Sequence, residues 1–409
     1  MSFSAFVLAS SLLSGALAIP MKARSDFSAG AAYWLTNDPS GNAIMAADIA
    51  SDGTLTLSSA YSMVGNGARG NTTFTGPDAL FAQGVIQVHA NANVLAAANA
   101  GSNTVSLFSI DPNAPTRLTA VGTPVSSGGH FPMSVAFNSA GDTLCALNSG
   151  EMAGVQCFNV SATAGLTPIA SFRTMGGNYS QTTPPTGPEG TVSQIAFTPD
   201  DGRIAVAVKG SDSLGPGYVQ TWDVLDDGSL STNTTQILAP AGSMYPFSLT
   251  AVPGRNAFLA ADFANGADVF DLDANTASLV NVSGQAATCW SAYSARTGNF
   301  YTSDTGTGNI SEIALGNQDD GTAGSVVASY PFNATAGPID VEVAGLTNAD
   351  YLYILMPGAM AVGVMQLNGP ASAQEMQVMD LVGPAQTVGI NMSPAYIAGM
   401  AVYVKPVSS

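Results

Sequence analysis

Between His130 and Val160 short apolar runs alternate with polar turns: SVAFN, a turn at Gly141, TLCALN, a glycine-containing loop, then GVQCFNV. Runs of this length, bounded by Gly, Asn and Asp, predict β-strands. The same phrase returns in altered words from Thr191 (TVSQIAFTPDDGRIAVAVKG), Pro246 (PFSLTAVPGRNAFLAADF), Thr288 (TCWSAYSARTGNFYTSD) and Pro338 (PIDVEVAGLTNADYLYILMPG). Such a unit cannot bury its apolar faces alone. Self-similarity at a spacing of about 45 residues therefore requires packed neighbours in a closed ring. The pattern predicts an all-β chain, a seven-bladed β-propeller of four-stranded antiparallel blades.

Taken in order, residues 31–63 supply three strands but no opening strand, and the segment AYIAGMAVYV (395–404) resembles an opening strand with no blade of its own. The C-terminal strand is thus expected to complete the first blade, which removes two exposed sheet edges. Blades two to seven are assigned to about 84–124, 130–176, 191–240, 244–285, 288–332 and 336–383. The Pro/Gly/Thr-rich stretch 176–190 reads as a long surface loop. Residues 31–404 form one domain, followed by a tail at 405–409. Ahead of it, residues 1–18 end in Ala16-Leu17-Ala18 after an apolar core and read as a signal peptide, with a linker at 19–30.

Composition agrees with this picture. Charged residues are only 9% of the chain, so long solvated helices are not expected. After the leader no apolar run reaches the length of a membrane-spanning helix. Ten Lys and Arg against 28 Asp and Glu give a formal charge of −18. That balance excludes nucleic acid and anionic membrane as partners. Sequons at Asn71, Asn159, Asn178, Asn233, Asn281, Asn309 and Asn333 fit a secreted glycoprotein; an eighth, Asn391, precedes Pro394 too closely. Cys145 and Cys157 fall symmetrically about Glu151 in one hairpin. They read either as a disulfide or as two buried thiols, with Cys289 left over as a core residue. No Cys/His spacing suits a metal, and no cofactor motif is present.

In a propeller the inner strand starts on the face that carries the loop between the second and third strands. His130, Met133, Glu189, Tyr245, Trp290 and Asp340 precede or open inner strands, while Asn148, Lys209, Asp262 and Asp304 end second strands. Together they are expected around one mouth of the channel, as ligand contacts, with His130 and Glu189 as catalytic candidates. Each has a plainer reading: His130 as a turn residue, Glu189 as solvated charge, Tyr245 and Trp290 as packing, Lys209 as a snorkelling cation. Asp271-Leu272-Asp273-Ala274-Asn275 resembles half a calcium loop but lacks the Gly and distal Glu, so it reads as a turn.

SVAFNSAGDTLCALNSG and QIAFTPDDGRIAVAVKG resemble the seven-bladed lactonase propellers, a group that includes 6-phosphogluconolactonase and fungal 3-carboxy-cis,cis-muconate cyclase. The leader, the sequons and ATCWSAYSARTGNFYTSD look closest to its secreted fungal members. The resemblance implies metal-free opening or closure of a lactone, with a His and a Glu handling the proton and arginines holding carboxylates. This chain departs at those positions, placing Met133 for the His, Ser193 for the Arg and Lys209 near the Glu; His130, Arg173 and Arg255 are the available substitutes. Two functions follow as expectations. One is a secreted lactonase or cycloisomerase-like enzyme acting on a small carboxylate or lactone at the channel mouth. The other is a non-catalytic monomeric glycoprotein that binds a small ligand or cell-wall glycan.

Overall fold

The computed structural model describes residues 28–73, 76–177, 179–316, 323–332, 334–387 and 389–406. The leader, most of the linker, the end of the tail and the sequons Asn178 and Asn333 lie outside them. Seven antiparallel sheets stand around an axis, each led by a strand next to it. The inner strands of blades two to seven are Ile86–His89, Pro132–Phe137, Val192–Phe197, Thr250–Ala251, Thr288–Ser294 and Ile339–Gly345.

Blade one is completed from the far end of the chain, with Ala398–Val404 as its inner strand beside Gly30–Leu35. The register runs from Gly30 opposite Val404 to Leu35 opposite Ala398. Blades one and seven are also fastened at their rims, where the Gln377 amide exchanges hydrogen bonds with the backbone of Leu55.

Burial grades outward across each blade. Second strands such as Val94–Asn99, Ala257–Asp262 and Asn299–Asp304 are buried along their whole length, because neighbouring blades cover both faces. Outer strands such as Gly324–Pro331 alternate between half-buried and exposed positions. Large side chains fill the wedges between blades, among them Trp34, Trp222, Tyr33 and Tyr301. Full burial of one apolar side chain is worth about 1.5–3 kcal/mol.

Three details depart from the regular repeat. Blade two carries an extra two-residue strand, Val125–Ser126, paired with its third strand. Blade five has a two-residue inner strand because Pro246 lacks an N–H and the Ser248 hydroxyl takes the bond from Ala261 N–H. A six-residue helix, Val382–Thr387, follows the last blade strand. Cys145 and Cys157 sit directly opposite one another and form a disulfide. Cys289 is buried and free.

Candidate functional site

The mouth of the channel is filled by the chain itself. Gln83, just ahead of the inner strand of blade two, donates its N–H to Ser193 O (3.3 Å) in blade four. Its carbonyl accepts from the Ser134 hydroxyl (2.8 Å) in blade three. Its side-chain amide donates to Ser291 O (2.9 Å) and accepts from Ser291 N–H (3.1 Å) in blade six. A residue that bonds to three other blades at once can only lie across the axis. Residues 78–83 thus form a plug, capped by Asp78, whose Oδ1 accepts the Phe81 N–H at 2.7 Å. Above it the loop after blade one pairs with the 176–190 loop. There Asn71 N–H donates to Pro185 O (2.8 Å) and Gly187 N–H to Asn71 O (3.0 Å).

Lys209 and Trp290 do reach the mouth, and both are bound to this plug. The Lys209 ammonium donates to Phe81 O (2.8 Å) and Val192 O (3.1 Å) and sits 4.6 Å over the Phe247 ring. Trp290 Nε1 donates to Ala82 O at 3.2 Å, with its ring edge-on to Phe247. Burial drives the Lys209 pKa down and that of Asp78 up, while attraction between the two opposes both shifts.

The other polar residues placed around the mouth hold turns. Asp262 accepts N–H bonds from Met244, Tyr245 and Ala264. Asp304 accepts them from Ala286, Ala287, Gly306 and Thr307. Asn148 exchanges bonds with Ser127 and donates to Gly154 O. Asn99 fills the same place in blade two, donating to Thr104 and Ser106. Each ends a second strand and satisfies groups of adjoining turns, so its side chain is committed within the fold. Asp340 accepts the Gly399 N–H (2.7 Å), linking blades seven and one, and its pKa is raised by burial. Only a glycine fits opposite: Gly399 has φ +73° and an added Cβ would lie 2.2 Å from Val85. Met133 is wholly buried core. Tyr245 stacks on Phe263 with ring centroids 3.9 Å apart, and its pKa is raised by burial first and by the charge of Glu189 next.

His130 lies elsewhere. It lines a cleft of about 470 Å³ beside the mouth, with Glu151, Met152, Thr174 and Tyr179. Its backbone is fixed on both sides, the N–H donating to Met152 O (3.1 Å) and the carbonyl accepting from Gly150 N–H (2.8 Å). Gly150 permits this approach, since a Cβ there would stand 2.8 Å from that of His130. Tyr179 closes one wall: its hydroxyl meets the Ser149 hydroxyl (3.2 Å) and accepts Val192 N–H (3.1 Å). Burial pushes the Tyr179 pKa up to about 12. Glu151 is exposed, its N–H held by the Thr183 hydroxyl at 2.9 Å. Glu189 is not among the residues lining this cleft, so the two catalytic candidates are not brought together there.

His130 Nδ1 is buried without a hydrogen-bond partner. In the tautomer that leaves this atom as the bare acceptor, the ring proton sits on Nε2. Neither substitute arginine reaches the cleft as a free charge. Arg173 donates to Leu230 O and Ser231 O, and Arg255 pairs with Asp271. Among the described residues no three His, Cys, Asp or Glu side chains are grouped to hold a metal ion.

Residues 64–83 belong to no repeat, so periodicity gave them no role. An apolar ALFA run between two blades, flanked by Asp78 and Gln83, was the available signal for a buried plug. Glu151 and Tyr179 were missed because they lie in loops outside the repeat register.

The comparisons agree with this architecture. No curated protein sequence matches the chain. A Lactobacillus plantarum protein of known structure superposes with a TM-score of 0.64 at 14% identity, covering 92% of this chain and 99% of the other. A periplasmic gluconolactonase of Pseudomonas aeruginosa does so at 0.63 and 13% identity, covering 92% and 100%. At such identities these likenesses carry the fold alone. Over residues 27–179 the sequence matches the family model of the lactonase 7-bladed β-propellers, a stretch that includes every residue lining the His130 cleft.

Proposed function

We propose that this chain is a lactonase-like propeller that opens a small, neutral lactone in the His130 cleft. The observation that carries the reading is the cleft itself, which sets a histidine with one buried, unpartnered nitrogen beside an exposed carboxylate. In the proposed step Glu151 takes a proton from water as the water oxygen bonds to the lactone carbonyl carbon. His130 Nε2–H hydrogen-bonds the carbonyl oxygen while negative charge gathers there. The ring C–O bond then breaks, and Glu151 returns the proton to the departing oxygen. A polycarboxylate suits the cleft poorly, because Glu151 is negative and Arg173 is committed to backbone carbonyls. In the same reading the protein acts outside the cell as a glycosylated monomer. The side chains of Asn71, Asn159, Asn233 and Asn281 are exposed.

An aldonolactone panel tests this. The expected result is turnover above buffer, with kcat/KM lowered about 10²–10³-fold in His130→Ala and about 10²–10⁴-fold in Glu151→Gln. Turnover equal in wild type and His130→Ala would reject it. The second reading, a silent ligand-binding glycoprotein, draws on the commitment of Lys209 and Trp290 to the plug. It predicts binding of a lactone or glycan with no turnover at all.

A further inference from the structure

We propose that a second cleft, between the outer parts of blades three and four, binds a neutral sugar ring. Its volume is about 590 Å³, and it shares the wall Thr174–Gly177 with the His130 cleft. Half-buried Phe172 supplies aromatic surface, and exposed Gln236, Thr232 and Thr234 supply an amide and hydroxyls, with Trp222 and Gln220 buried behind them. The amides are ordered from inside: buried Gln220 donates to Met175 O (3.1 Å) and accepts from Gln236 Nε2 (2.8 Å). That chain of bonds leaves Gln236 Oε1 as an acceptor for a ligand, beside the two threonine hydroxyls.

Charge decides the ligand class. No carboxylate lines the cleft, so a cation finds no counter-ion. Its one cationic side chain, Arg173, donates through Nε and Nη2 to Leu230 O and Ser231 O and attracts Asp227, so its charge is shared with a carboxylate outside the cleft. What remains is an apolar wall with neutral donors and acceptors. That combination matches a pyranose, which has C–H faces and a rim of hydroxyls. The inference does not rest on His130 being catalytic.

Protein made in bacteria, and so free of glycans, would be titrated by ligand-detected NMR with glucose, mannose, galactose, N-acetylglucosamine and their disaccharides. Glucuronate and glucosamine serve as charged comparators. We expect saturable binding of at least one neutral sugar, weakened about tenfold in Gln236→Ala and in Phe172→Ala at unchanged Tm, and retained in His130→Ala. Absence of saturable binding by every sugar, equal binding of the charged comparators, or wild-type affinity in both cleft variants would overturn the proposal.

Discussion

At the scale of single residues, the ends of the second strands show how one position serves the fold. Asn99 and Asn148 donate to, and Asp262 and Asp304 accept from, groups of adjoining turns, whereas Lys209, one residue past the strand end at Val208, donates to the plug. Removing that ammonium leaves Phe81 O and Val192 O without a donor from Lys209, at about 1–3 kcal/mol for each unsatisfied buried group. Lys209→Ala is therefore expected to cost about 2–5 kcal/mol in urea unfolding at pH 7. Lys209→Met should cost less, because the longer side chain still packs on Phe247; in both variants Asp78 loses its cation and is shifted further toward the protonated acid. An alanine variant within about 0.5 kcal/mol of wild type would mean that the plug does not depend on this contact.

At the scale of elements, the third blade carries its own staple. The Cys145–Cys157 bond joins neighbouring strands at a sequence separation of 12, and closing so short a loop stabilises by about 3 kcal/mol. A Cys145→Ala/Cys157→Ala variant should lose about 2–3 kcal/mol and become indifferent to reductant, whereas wild type falls to its level when reduced. Equal urea midpoints for oxidised wild type and the double variant would contradict this. The strands and the latching tail were legible in the sequence because each blade obeys one rule, an apolar strand between polar turns. The site was less legible. Recurrence of Asn or Asp at one repeat position marks a structural duty, yet those residues read as ligand contacts because their place near the mouth was considered before their register. The plug was hidden for the opposite reason: residues 78–83 have no counterpart in any blade, and their meaning comes from partners more than a hundred residues away, such as Ser291 and Lys209.

At the scale of the whole molecule, the ring encloses more acid than it neutralises. Burial raises the pKa values of Asp78, Asp262, Asp268 and Asp340, and lifts Glu342 to about 8. For each of these the folded chain holds a proton that the unfolded chain has released, so its contribution is present at low pH and lost as pH rises through the folded value. For Glu342 that window runs from the ordinary carboxylate range to about 8. Lys209, shifted downward, acts in the opposite sense: the unfolded chain keeps a proton that the folded chain lacks, so its contribution grows with alkalinity above the depressed value. Asp52, Asp200, Asp227 and Asp271 are lowered, mainly by hydrogen bonds to neighbouring side chains and turns, and their stabilisation is lost only on strong acidification. Five raised acids outweigh one lowered lysine between mild acid and neutrality, and protonation also eases the repulsion within a chain of charge −18. Tm should therefore fall from about pH 5 to about pH 8. Glu342→Gln should flatten that slope, since the amide has no proton to lose. A Tm that rises over the same interval, or a slope untouched in Glu342→Gln, would show that the interior acids are hydrated enough to titrate as they do in the unfolded chain.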